Sequence, residues 1–154
     1  MRGWVFAGLL FVGSAQATSF APMSMKERVQ SSDLIIEVET EHVDCRTPEG
    51  KVLEPGKDCT GPGVNNRLHY VAKAGNVLFK RGSIQVPEKI EFSFQGMGIT
   101  TVPDDGYKFE KGARIYFLRQ VQDQLIPLHE AFFDARMDDK KEILALIKKS
   151  KKRK

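Results

Sequence analysis

Five segments of this chain carry the apolar patterns of β-strands, and the connections between them hold turn residues or are too short for a crossover helix. Because a parallel pair needs a crossover of about a dozen residues or more, we expect mainly antiparallel strands. Closing such strands into a small barrel removes exposed edges. The fold predicted first is therefore mainly β, a five-stranded antiparallel barrel of the oligonucleotide/oligosaccharide-binding (OB) type with flanking helices. An open antiparallel sheet with both helices on one face is the alternative. The five segments are residues 33–40, 68–79, 89–95, 113–118 and 125–128.

The strand patterns also predict positions within the sheet. Residues 89–95 alternate most cleanly, with Ile90 and Phe92 on one face, so this strand has one dry face. The nearly continuous apolar run of residues 113–118 suits a central strand covered on both faces. Gly75 interrupts the second segment and indicates a bulge or bend in one long strand. Pro127 favours an edge position for the fifth strand.

Helix signals lie at both ends of the strand region. Ser24 and Glu27 form a capping box, which predicts a short helix over residues 25–31. A second helix is expected to begin at Asp139, where acidic residues lie at the positive end of the helix dipole. Its apolar stripe has helical spacing. The stripe consists of Ile143, Leu144, Leu146 and Ile147.

The first seventeen residues have the order of a secretory signal peptide. Arg2 precedes an apolar run from Trp4 to Val12, and Ala15 and Ala17 provide a small-x-small cleavage site. The apolar run is about half the length that a membrane-spanning helix needs. We therefore expect a mature protein that begins at Thr18 and is periplasmic or secreted.

The two cysteines fit an oxidising compartment. Cys45 and Cys59 are the only cysteines of the chain, and an even count in an exported protein indicates a disulfide. The residues between them contain two turn signatures without apolar periodicity, so the segment is predicted to be a stapled surface loop. Closing a loop of this size stabilises a fold by roughly 3 kcal/mol.

The positive net charge comes from the end of the chain. Without the leader and the last seven residues, 17 Lys and Arg face 20 Asp and Glu. The predicted domains are a signal peptide over residues 1–17, one β domain over 18–147 and a basic disordered tail over 148–154. Attraction to an anionic envelope surface is the function expected of such a tail. Its basic residues are Lys148, Lys149, Lys151, Lys152, Arg153 and Lys154.

Three segments together resemble a group of exported bacterial proteins whose fold is like that of tissue inhibitors of metalloproteinases and netrin-type modules. They are residues 25–38, where a helix runs into Asp33-Leu34-Ile35-Ile36, then residues 77–82 and 109–118. The resemblance implies an OB-like barrel. Those inhibitors begin with a Cys that chelates the protease metal. The expected mature chain begins with Thr18, so inhibition by that mechanism is not implied.

The residue types that carry catalysis are scattered along the chain. His42, His69 and His129 form no pair with metal-ligand spacing, and no Ser lies in a nucleophile elbow. His129 and Glu130 are adjacent, which is weak evidence for a catalytic pair. The sequence therefore predicts neither an enzyme nor a metal or other cofactor.

A non-enzymatic binding module, such as a protein inhibitor or sequestering factor, is the function expected first. Long connections on a β scaffold are common recognition surfaces. The candidates are residues 96–111 and the segment between the cysteines, and the partner is expected to be a protein rather than a nucleic acid. An accessory protein of the cell envelope, positioned by the basic tail, is the alternative. The predicted contacts in the first loop are Met97, Ile99, Val102 and Tyr107.

Overall fold

A sheet of seven antiparallel strands and two α-helices make up the fold in a computed structural model, which describes residues 22–53, 65–94, 112–129 and 132–151. The helices are α1 (Met25–Ser31) and α2 (Lys140–Lys151), and a 3₁₀ turn over Met137–Asp139 precedes α2. The strands are β1 (Leu34–Arg46), β2 (Val52–Leu53), β3 (Arg67–Lys80), β4 (Lys89–Phe94), β5 (Gly112–Val121), β6 (Gln124–Pro127) and β7 (Asp134–Arg136).

The strand order is β4-β3-β1-β5-β6, with β2 beside β1 and β7 beside β5. Within the described residues no ladder joins β4 to β6, so the sheet is open. The mainly β fold with two helices is confirmed, while the closed five-stranded barrel is not. Pro127 contributes to this difference, because a proline on the outer edge of β6 has no N–H for a further ladder.

Several local predictions are confirmed. The Ser24 side chain accepts a hydrogen bond from the Glu27 amide, and the Glu27 carboxylate accepts one from the Ser24 amide, as a capping box requires. Strand β5 is central and its residues 115–118 are buried. Strand β6, with Pro127, lies at an edge.

The long strand β3 contains a bulge at Gly75, as the sequence predicted. Ile36 pairs with Val77 and Val38 pairs with Ala74, so β3 has one more residue than β1 in this stretch. A Cβ at Gly75 would lie 2.9 Å from the Glu37 carbonyl oxygen, so the bulge brings two backbones too close for a side chain. Two further register shifts occur in the same strand pair. Such bulges increase the local twist and bend the sheet.

Each face of the sheet carries its own apolar cluster, because alternate residues of a strand point to opposite faces. The aromatic cluster, on one face, contains the stacked and edge-on rings of Tyr70, Phe92, Phe94, Tyr116 and Phe133. The helix cluster, on the other face, joins the helices to β1 and β5. It contains Val29, Ile35, Ile115, Phe117, Leu128, Ala135, Ile143 and Ile147.

Strand β1 continues to Arg46, six residues beyond the predicted strand end at Thr40, and the predicted surface loop contains strand β2. A register shift between Thr40 and His42 changes the phase of the strand, so the alternation seen up to Thr40 does not continue in the sequence. Cys45 is buried beside Leu68 and pairs with Leu53 of β2. The turn between β1 and β2 ends at Gly50, whose φ is +88°. Part of the predicted loop is therefore a short hairpin.

Helix α2 continues to Lys151 and corrects the predicted start of the tail. Lys148, Lys149 and Lys151 lie in its last turn. The apolar residues Ile143 and Ile147 anchor the helix to the sheet, and the backbone hydrogen bonds continue beyond them because nothing in this stretch breaks a helix. Residues 152–154 lie outside the described residues. Among the described helices, none is long and apolar enough to span a membrane.

Candidate functional site

A cleft of about 670 Å³ lies between the two end strands of the sheet. One wall is the whole of β4, and the other consists of residues 123–127, which include β6. Gln85 and Pro87, which precede β4, also line it. The cleft therefore lies where the predicted barrel would have closed.

The outer backbone groups of β4 face this cleft. The Ala74 amide donates to the Glu88 carbonyl at 2.9 Å, which fixes the phase of the ladder between β3 and β4. Since hydrogen-bonding directions alternate along an antiparallel strand, Ile90 and Phe92 bond to β3. Lys89, Glu91 and Ser93 then direct their amides and carbonyls away from β3. Within the described residues no strand pairs with this edge.

Strand β6 offers fewer donors. The Leu128 amide donates to the Phe117 carbonyl at 2.9 Å, so Gln124 and Ile126 bond to β5 in the same phase. Leu125 and Pro127 consequently face the cleft, and Pro127 has no amide hydrogen. The two walls are therefore unequal, and β4 is the better edge for pairing with another strand.

The cleft has an apolar floor and an acidic rim. Phe92 is buried, and the half-buried Phe94 and Leu125 pack against the same aromatic cluster. Lys89 forms a salt bridge with Glu41 at 3.2 Å, so this pair adds no net charge to the cleft. The exposed acids Glu91 and Asp123 are the remaining charged groups of the lining. The balance favours a ligand with apolar and basic groups.

A second polar cluster crosses three strands beside the cleft. Asp44 of β1, His69 of β3 and Ser93 of β4 are successive cross-strand neighbours. The Ser93 Oγ lies 2.8 Å from His69 Nδ1. Asp44 accepts two hydrogen bonds from Arg46, at 2.7 and 2.9 Å, and its Oδ2 lies 2.9 Å from His42 Nε2. Residues from three distant parts of the sequence thus form one polar row.

The electrostatics of the row suit a structural network. Hydrogen bonds from Arg46 hold the pKa of Asp44 below its ordinary value, although burial opposes them. Burial lowers the pKa of His69, and the charge of Arg46 acts in the same direction. A neutral His69 can accept the Ser93 proton. However, the carboxylate of Asp44 is directed to Arg46 and His42, so it does not orient His69 as in a nucleophilic triad.

The predicted partner contacts Met97, Ile99, Val102 and Tyr107 lie outside the described residues. Cys59 does too, so its disulfide with Cys45 stays a prediction; the described part of the chain contains no free cysteine. The described residues include no cluster of three or more His, Cys, Asp or Glu side chains placed to hold a metal ion.

The polar row and the cleft were not predicted from the sequence. Cross-strand register places Asp44 beside His69, and no local pattern encodes that register. Over residues 89–94 the alternation correctly predicted which side chains are exposed. Charged side chains on such a strand are also typical of a sheet edge.

No family model matches the chain, and no curated protein matches it significantly. The resemblance to tissue inhibitors of metalloproteinases and netrin-type modules therefore stays a prediction.

Proposed function

We propose that this chain is an exported, non-enzymatic binding module that holds an extended polypeptide segment in the cleft between β4 and β6. The observation that carries the proposal is the outer edge of β4, which pairs with no strand of the described residues and whose backbone groups face the cleft. Adding a strand to an exposed sheet edge is a common mode of peptide recognition. The export rests on the leader-like residues 1–17.

The length of β4 sets the size of the bound segment. Its six residues span about 20 Å at roughly 3.3 Å per residue, so a peptide of about six residues covers the edge. Lys89, Glu91 and Ser93 each offer one donor and one acceptor. Each net hydrogen bond contributes about 0.5–1.5 kcal/mol, which is enough for useful affinity when several form together.

The width of the cleft determines how the peptide enters. Some Cα atoms of β4 and β6 lie within 8 Å of each other, whereas a strand between them needs roughly twice the strand spacing of about 4.8 Å. A bound peptide therefore pairs with β4 beyond this close approach or displaces β6. Strand β6 can be displaced because it has only four residues and pairs along one edge, so few hydrogen bonds hold it. The added strand would complete the closure that the OB-like prediction expected.

The chemistry of the lining selects the sequence of the peptide. Side chains of a bound strand alternate between the apolar floor, with Phe92 and Leu125, and the rim, with Glu91 and Asp123. Apolar residues that alternate with Lys or Arg fit both. An inhibitor or sequestering factor for a protein with such an exposed segment is the corresponding biological role.

The proposal is tested with a peptide selected from a displayed random library against residues 18–154. Glu91→Pro removes one outward amide from β4 without breaking the ladder to β3, and a proline in such a position is tolerated at an edge. Glu91→Ala removes the carboxylate but keeps the amide, so it is the matched control. We expect the dissociation constant of the Pro variant to exceed that of the Ala variant about fivefold to tenfold.

Two results would contradict this function. One is a library selection that yields no peptide, and the other is equal affinity of the Pro and Ala variants. The substitutions Met97→Asp and Ile99→Asp, measured with the same peptide, test the predicted loop contacts. If His69→Ala or His129→Ala abolishes a chemical activity while the β4 variants do not affect it, an enzyme is the better interpretation.

A further inference from the structure

The two helices carry a basic surface, and we propose that it binds the surface of a bilayer that contains anionic phospholipids. This function is separate from peptide binding in the cleft, because it uses residues of α1 and α2 alone. The basic surface is defined by Lys26, Lys141, Lys148, Lys149 and Lys151, together with the exposed Leu144.

Three of these lysines and one leucine form a stripe along α2. Lys141, Leu144, Lys148 and Lys151 are separated by three, four and three residues, which places them on one side of a helix. The buried residues Ile143 and Ile147 hold the adjoining side of the helix against the sheet, so Leu144 and Lys151 border the buried face. Leu144 is 42% exposed between two lysines, so an apolar side chain projects from the middle of the basic stripe.

A groove between the helices lies on the flank of α2 away from Leu144, and the adjacent residues Lys148 and Lys149 connect the two flanks. This cavity, of about 210 Å³, is lined by Lys26 and Lys149 together with Val29 and Leu146. Two ammonium groups therefore border an apolar floor. The same combination, charge at the rim and aliphatic carbon below, occurs on the α2 stripe around Leu144.

The charged acids near the surface lie on α1 and at the beginning of α2. Glu27 accepts hydrogen bonds from Ser24 and stays charged beside Lys26, while Glu37 pairs with Lys140, which is not part of the basic surface. Asp138 and Glu142 are exposed at the beginning of α2. Lys148 and Lys151 lie about 9–19 Å further along the helix axis than these two acids, at about 1.5 Å per residue. The positive charge is thus concentrated in the C-terminal half of α2.

This combination fits a lipid surface better than a nucleic acid or an acidic protein. Lysine amines contact phosphate headgroups while their aliphatic stems and Leu144 enter the boundary of the acyl region. Base stacking requires aromatic side chains, and the sequence of α2 contains none. The lysines also lie in the last turn, where they stabilise the helix dipole. The experiment must therefore separate binding from helix stability.

The test uses co-sedimentation of residues 18–154 with vesicles of pure phosphatidylcholine or of phosphatidylcholine with phosphatidylglycerol, at low and high salt. Lys148→Glu/Lys151→Glu reverses two charges of the basic surface. Lys51→Glu/Lys73→Glu reverses two exposed lysines elsewhere, and gives a chain of the same net charge. The Tm of each variant is measured to verify folding. Leu144→Ser tests the apolar contact without changing charge.

We expect sedimentation only with the phosphatidylglycerol vesicles, with a loss at high salt. The α2 double variant should bind at least about tenfold more weakly than the matched control, and Leu144→Ser about twofold to fivefold more weakly than the parent chain. Equal partition of the two double variants, binding to neither vesicle type, or tighter binding to duplex DNA than to the vesicles would overturn the proposal. If Lys148→Glu/Lys151→Glu lowers the Tm, Lys148→Gln/Lys151→Gln gives the same test with a smaller change in charge.

Discussion

The two halves of strand β1 have the same backbone partner, β3, but opposite surroundings. Leu34, Ile35 and Ile36 are completely buried because the aromatic cluster covers one face and the helix cluster covers the other. Beyond the register shift at Thr40, one face carries the hydrogen-bonded charges of Asp44 and Arg46. The first half of the strand thus has two apolar faces, and the second half has one apolar and one polar face.

The difference shows that the helices exclude water from the face of the first half that the aromatic cluster does not cover. Both α1 and α2 pack over this half through Val29, Ile143 and Ile147. The second half keeps one polar face and leads to the open edge of β4. We therefore expect stability to depend mainly on the first half, and ligand binding to depend on the second.

Truncating one phenylalanine in each half gives the largest expected contrast. Phe117 is fully buried in the helix cluster, so Phe117→Ala should lower the free energy of unfolding by about 3–5 kcal/mol. Phe94 is half-buried beside the cleft, and Phe94→Ala should cost about 1–2 kcal/mol because water already reaches the site. Urea denaturation measures both values. Equal losses would mean that the two halves contribute alike.

The polar row should give a smaller effect that depends on pH. Asp44→Asn removes the charge that accepts hydrogen bonds from Arg46, and should lower the free energy of unfolding by about 1–2 kcal/mol at neutral pH. The pKa of Asp44 is lowered in the folded state, so its contribution is full above the ordinary value of 3.8 and is lost as pH falls below it.

The measurement is the difference in unfolding free energy between Asp44→Asn and the parent chain from pH 7 to pH 2. A difference that narrows at acidic pH agrees with the ion-pair geometry. A constant difference would show that Asp44 contributes through packing rather than charge.

The hairpin between β5 and β6 should give the smallest effect, with opposite sign. Gln122 is the first residue of its two-residue turn and has a φ of 55°, a conformation that glycine adopts without strain. Gln122→Gly should raise the free energy of unfolding by about 0.5–1 kcal/mol. Thermal unfolding measures the change. Asp123→Gly is the control, because the φ of Asp123 is not positive. If Gln122→Gly instead lowers the free energy of unfolding, the Gln122 side chain makes a contact that stabilises the fold by more than the backbone strain costs.

Local sequence signals predicted the elements whose determinants are local. The capping box fixed the start of α1, and strict alternation gave β4 because one face is dry and the other wet. Pro127 correctly indicated an edge, since a proline cannot donate to a ladder. Gly75 indicated the bulge because the close approach of Glu37 leaves no space for a Cβ.

The features that were missed depend on pairing between distant residues. The second half of β1 was not predicted as a strand because the register shift at Thr40 ends the alternation, and only pairing with β3 identifies it as one. Strand β7 has three residues, too few for a pattern. The polar row depends on the register between strands, and the cleft depends on the failure of β4 and β6 to pair. Neither property can be predicted from the sequence of a single segment.

Pro127 has a consequence for the behaviour of the protein at high concentration. An open sheet edge is a template on which identical chains can stack into fibrils, and short strands, prolines and charges are the usual protection. Strand β6 has four residues and its proline removes an outward donor, while Lys89 and Glu91 place charges along β4. A fibril that grows by edge-to-edge pairing needs both edges of each sheet. A molecule whose β4 pairs with another chain still presents β6 at its other edge, so further addition stops there.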